Sequence, residues 1–133
     1  MFQVDSYDEM RALLRAVIEA KFHRDPDDIV VPGSPLVADV VNRLARAVAE
    51  ESIRIDGDAA RDRWSAWIHI GPERDEWKSA VAYATSLWPK MWPKWSVEKR
   101  RVVARVLLSP FELEDATLDA FLREVEASFT PIQ

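Results

Sequence analysis

Met10, Leu13, Leu14, Val17, Ile18 and Phe22 recur every three or four residues, the spacing that lines one face of an α-helix. The spacing returns in Val37, Val40, Val41, Leu44 and Val48, and again in Leu118, Phe121, Leu122, Val125 and Phe129. Stripes of this kind are apolar on one side only, so each helix must cover its stripe with another helix. Prolines and glycines keep the stripes short. Pro26, Pro32, Gly33 and Pro35 follow the first, Gly71 and Pro72 interrupt the middle of the chain, and Pro89 ends the stripe before a tryptophan-rich segment. The pattern predicts an all-α fold, an irregular bundle of about six short helices in a single helical domain over residues 1–133. No repeat of solenoid length appears.

Start and stop signals sharpen the boundaries. Ser6 and Glu9 fit a capping box for a first helix ending near Arg24. Ile29 to Val31 suit a short extended piece. Ser34 followed by Pro35 opens a second helix expected to run to about Glu51. The stretch "SIRIDGD" alternates like a strand, and "RWSAWIHI" is rich in strand-favouring residues, so a minor β-hairpin around residues 52–70 competes with a helix. The helix is preferred: "DAARDRW" holds strong helix formers, Asp58 can cap them, and Ala60, Trp64, Trp67 and Ile68 then share a side. Beyond Gly71 and Pro72, Trp77, Ala80, Val81, Ala84, Leu87 and Trp88 share a face. Ser96 caps a further helix carrying Val103, Val106 and Leu107 inward, "SPFELE" makes a turn, and Asp115 caps the last helix.

Composition narrows the classes of function. With 48% hydrophobic and 31% charged residues the chain resembles folded globular proteins rather than disordered ones. It has no cysteine, which removes disulfides, thiolate nucleophiles and zinc–sulfur sites. No apolar run approaches the ~20 residues that span a bilayer, and "MFQVDSYDEM" lacks the order of a signal peptide, so no membrane role and a cytoplasmic location are expected. Frequent Ala, Val, Arg and Asp beside scarce Lys suggest a GC-rich bacterial source. The net charge of −5 disfavours general binding to nucleic acid or anionic lipid. The charge is unevenly spread, however. Residues 88–106 hold Lys90, Lys94, Lys99, Arg100, Arg101 and Arg105 against Glu98 alone, a net +5 that leaves −10 for the rest.

That basic zone begins at "WPKMWPKW", residues 88–95, which contains three of the six tryptophans. Pro89 and Pro93 forbid an uninterrupted helix, and a residue before proline is pushed towards extended geometry, so Trp88 and Trp92 belong to a stiff corner. One reading makes Trp88, Trp92 and Trp95 core residues that fill the gap between two helices. The functional reading makes the corner a partner-binding site of Trp88, Lys90, Met91, Trp92, Lys94 and Trp95, extended by Arg100, Arg101 and Arg105. Tryptophan anchors with a basic rim select another protein with an acidic or apolar surface, as an inhibitor, immunity-type protein or regulatory subunit would. A homodimer through the same patch is a variant of that reading. A single-stranded nucleic-acid stacking platform is a third, opposed by the acidic remainder.

Chemistry and cofactors are not expected. His23 and His69 lie far apart and fit no ligand or triad spacing. In "HRDPDD", His23, Asp25, Asp27 and Asp28 make an acidic proline loop of the kind that is usually a solvated turn. Glu73 and Glu76 lie one helical turn apart, as do Glu112 and Asp115. This E-x-x-E and E-x-x-D pairing is similar to that of the MazG-like all-α nucleotide pyrophosphohydrolases, and the resemblance implies magnesium held between converging carboxylate pairs. The first pair also sits in the opening turn of a helix and the second in the "SPFELED" corner, both places where acids favour the helix dipole, and the pairs are farther apart than that family's compact pattern. No catalytic residue or metal ligand is therefore assigned.

Overall fold

The computed structural model describes residues 2–23 and 30–129, and the chain is an all-α bundle. The first helix, α1, spans Tyr7–Lys21, and Ser6 Oγ accepts from the Glu9 amide at 3.3 Å. It ends one turn before Arg24, with the Phe22 amide bonded to the Ile18 carbonyl. The acidic loop with Asp25, Asp27 and Asp28 lies outside the described residues. Val30–Gly33 form a single helical turn, α2, so Val30 and Val31 are not in the extended piece expected over Ile29 to Val31, of which Ile29 lies outside the described residues.

The long helix α3 covers Pro35–Asp56, with Ser34 Oγ accepting from the Val37 amide at 3.2 Å. It passes beyond Glu51, and α4, Asp58–Ile68, follows after one residue, so the hairpin around residues 52–70 does not form. Burial overrides local alternation here. Val41, Ala45, Val48 and Ser52 are all buried at helical spacing, so the inner face of α3 continues straight through "SIRI" and leaves Ile55 exposed. Gly57 separates the two helices with φ +65°, a value that other residues adopt at a cost. It also takes the cap position expected of Asp58, which instead pairs with Arg61 at 3.2 Å.

Three further helices complete the bundle: α5, Asp75–Leu87; α6, Val97–Leu108; and α7, Asp115–Ser128. A 3-10 turn, Trp92–Lys94, joins α5 to α6. Among the described residues the only extended pairing is a single bridge between His69 and Glu112, and no helix is long and apolar enough to cross a membrane.

Burial divides into two clusters. The smaller joins α1 to α3 through Leu14, Val41, Ala45 and Val48, with Trp64 of α4 against its edge. The larger fills the space among α5, α6 and α7 with Trp77, Ala84, Trp92, Leu107, Leu108 and Phe121. Trp77 and Phe121 meet edge to face at 5.1 Å, the geometry that ring quadrupoles favour, and the Trp77 indole donates to Glu124.

A buried lysine links the two clusters. Lys21, only 2% exposed at the end of α1, donates to the carbonyls of Val106 at 2.8 Å and Leu107 at 2.6 Å. These belong to the last turn of α6, whose carbonyls lack the usual i+4 amide, although that of Val106 also accepts from the Ser109 amide at 3.4 Å. The Arg105 carbonyl accepts from Ser109 Oγ at 2.7 Å and that of Leu108 from the Phe111 amide at 2.8 Å, so the whole turn is satisfied. Burial lowers the Lys21 ammonium to about 7. Nearby, Phe111 packs on Phe22 at 5.5 Å and on Trp67 at 4.8 Å, reinforcing the junction.

Candidate functional site

The tryptophan corner is closed on itself. The Trp88 amide caps α5 on the Ala84 carbonyl at 3.2 Å, and the Trp92 amide then bonds to the Trp88 carbonyl at 2.9 Å. Trp92 starts the 3-10 turn rather than adopting the extended backbone expected before Pro93, because proline is tolerated in a first helical turn, where its missing N–H has no partner to lose. The three indoles pack together. Trp88 stacks on Trp92 at 6.4 Å and 16°, and Trp95 leans on both, at 5.5 and 5.8 Å. From the outside Tyr83 meets Trp88 edge-on at 5.6 Å. The backbone of α2 comes so close that a Cβ at Gly33 would lie 3.3 Å from the Tyr83 hydroxyl.

Trp92 is 1% exposed, so it is core and offers no face to a partner or a base. Trp88 and Trp95 are half-buried. On the surface stand Met91, 52% exposed, and the exposed Lys90 and Lys94. The arginines of α6 separate by direction. Arg100 turns back to the corner, where its Nε donates to the Trp92 carbonyl at 2.9 Å and its Nη2 to the Pro93 carbonyl at 2.8 Å. Arg101 and Arg105 turn to α7 and pair with Asp119 at 3.0 Å and Asp115 at 3.6 Å. Lys99 sits over the Trp95 ring at 4.8 Å. Of the basic zone read from the sequence, only Lys90 and Lys94 therefore stand beside Met91 without a structural partner among the described residues.

The acidic pairs are not joined. Glu76 is held by Arg74 at 3.2 Å, Glu112 lies 3.7 Å from His69, and Asp115 faces Arg105. Among the described residues no three of His, Cys, Asp or Glu come together as a metal would require. The convergence that the pyrophosphohydrolase resemblance demands is absent there.

A groove not foreseen from the sequence lies on the opposite half. α1 and α4 both pack on α3 without comparable contact between them, leaving a cleft of about 440 Å³. Leu14, Val48 and Ser52 form its buried floor, and Trp64 and Trp67, in edge-to-face contact at 5.2 Å, form one wall. Arg11, Arg15 and Arg63 line it against Glu19 alone. Arg63 is tied to Asp56 at 3.2 Å and Arg11 lies over the Tyr7 ring at 5.4 Å, whereas Arg15 has no partner among the described residues. The sequence carried one signal of this groove. Arg11 and Arg15 stand at i, i+4 beside the apolar stripe of α1, a like-charge spacing that a helix disfavours.

No protein-family model matches the chain, and no curated protein or solved structure matches it either.

Proposed function

We propose that the chain is a small protein-binding module, of the inhibitor, immunity-protein or regulatory-subunit kind, working in a bacterial cytoplasm. Its contact surface is Met91 with Lys90 and Lys94, and its partner presents an acidic surface with an apolar patch. The observation that supports this is the exposed methionine on a corner held from beneath by three packed tryptophans and by Arg100 on two corner carbonyls. The rigid base leaves only the methionine side chain to be ordered on binding, its rotatable bonds let it fit an apolar patch, and two lysines beside it steer an acidic partner. The tryptophans thus become the foundation of the surface rather than its anchors.

The test is a triple variant, Lys90→Glu, Met91→Glu and Lys94→Glu, compared with the parent in affinity purification and size-exclusion chromatography. Because these side chains are exposed, the melting temperature should stay within a few degrees. Partner capture, or self-association if the partner is a second copy, should fall at least ~30-fold, the loss of ~2 kcal/mol typical of a hot spot. Unchanged capture by the folded variant, or binding to oligonucleotides that collapses between ~50 and ~200 mM salt, would remove this reading.

A further inference from the structure

We propose that the groove between α1 and α4 is a binding site for a small amphipathic anion, whose flat apolar body rests on Trp64 and Ile18 and whose carboxylate or phosphate is held by Arg11 and Arg15. The inference is independent of the tryptophan corner, which lies on the other half of the molecule.

Three observations converge. The cleft volume of about 440 Å³ falls inside the roughly 300–1,000 Å³ range of small-molecule sites. Its apolar surface is aromatic and fixed: Trp64 meets Trp67, and Trp67 is itself wedged against Phe111 of the main core. Such a wall is formed before any ligand arrives, so little ordering is required on binding. The charge is the third observation. Arg11 and Arg15 follow one another at i, i+4, neither has a carboxylate partner among the described residues, and Arg63 adds a third guanidinium across the cleft.

That arrangement works against folding. Like charges one turn apart weaken a helix, and Glu19, four residues from Arg15, does not close an ion pair with it. Other arginines are paired, Arg43 with Asp39, Arg61 with Asp58 and Arg101 with Asp119. What sets Arg11 and Arg15 apart from Arg46 and Arg123, also unpaired among the described residues, is that the two stand one turn apart on the wall of one cleft. An anionic head group between Arg11 and Arg15 removes their repulsion, and guanidinium forks match the two oxygens of a carboxylate or phosphate. The half-buried Trp64 and Ile18 give an apolar body a surface to cover and give a bare inorganic anion nothing.

The experiment is isothermal calorimetry on the full chain with four probes: 1-naphthylacetate, 1-naphthyl phosphate, the neutral 2-(1-naphthyl)ethanol and inorganic phosphate. Both naphthyl anions should bind, with the neutral alcohol and inorganic phosphate each at least tenfold weaker. The order of the two anions identifies the head group. The double variant Arg11→Gln and Arg15→Gln should lose at least tenfold for the anions and keep its affinity for the alcohol, with a melting curve that confirms the fold. Trp64→Ala supplies the converse, weakening all three naphthyl probes. Equal binding of alcohol and anions, unchanged affinity in the double variant, or no heat with either anion at millimolar concentration would overturn the proposal.

Discussion

The two halves of the bundle treat their charges and aromatic rings in opposite ways. Around α5, α6 and α7, the exposed Lys90, Met91 and Lys94 apart, the prominent rings and arginines are drawn into the fold: Trp92 is buried, Arg100 holds backbone carbonyls, Arg101 and Arg105 face α7 acids, and Trp77 donates to Glu124. Around α1 and α4 the core is smaller, two helices stand apart over a third, and Arg11 and Arg15 lack carboxylate partners. A conspicuous cluster in a sequence is therefore not by itself a contact surface. Groups that folding has already satisfied have less to offer a partner than groups it has left open, and only the fold distinguishes the two.

The contrast breaks most directly at Trp92. Trp92→Ala should cost ~3 to 5 kcal/mol, the usual penalty for emptying a buried aromatic site, and should be read as a fall in the urea midpoint. The indole nitrogen of Trp92 is buried without a hydrogen-bond partner, so the loss comes from packing alone. Trp64→Ala, half-buried on the groove wall, should cost only ~1 to 2 kcal/mol. Equal losses at the two sites would erase the distinction between a saturated half and an open one.

What the sequence reveals follows the same division. The helices and their inner faces were legible because each stripe is local: the buried Leu14, Val41, Val48, Leu118, Phe121 and Val125 all lie on faces that periodicity alone picks out. The length of α3 was not, since "SIRI" alternates locally, whereas the helix runs on through it with Ser52 on its buried face and Glu51 paired to Arg54 one turn on. The tryptophan corner was legible as a corner, but its inward or outward orientation depended on the turn at Pro93 and on Arg100 reaching back across it. The groove was almost invisible. Arg11 and Arg15 lie far in sequence from Trp64 and Trp67, and packing of both helices on α3 brings them to one cleft.

Lys21 tests the junction between the halves. The folded protein holds this ammonium at about 7 against an ordinary 10.5, because burial penalises its charge. Between those values the unfolded chain binds more protons than the folded one, so stability should rise with pH from about 7 to 10.5 and be insensitive to this group below that window. The bonds to Val106 and Leu107 favour the charged form and reduce the gain, which we expect to be on the order of 2 to 3 kcal/mol. Other groups also titrate in this range, so the informative quantity is the difference between the parent and Lys21→Met in urea unfolding at each pH. That difference should shift in favour of the parent as pH rises. A constant difference would mean that the lysine stays charged throughout and joins the halves purely as a cap on α6.

The smallest effect is the one that separates the two kinds of arginine. Arg100→Gln removes a charged donor from the carbonyls of Trp92 and Pro93, and should destabilise the chain by ~1 to 3 kcal/mol. Arg15→Gln removes no hydrogen bond, since Arg15 has no partner among the described residues, and it ends a repulsion with Arg11 one turn away. Its expected effect on stability is therefore zero to a gain of ~0.2 to 0.5 kcal/mol, shrinking as salt screens the pair. Thermal melts of both variants at low and high ionic strength measure this directly. A destabilisation above ~1 kcal/mol in Arg15→Gln would show that the groove arginine supports the fold as Arg100 does. A gain that disappears at high salt would mark Arg15 as a charge that folding does not require, which is the condition under which an anion in the groove has something to neutralise.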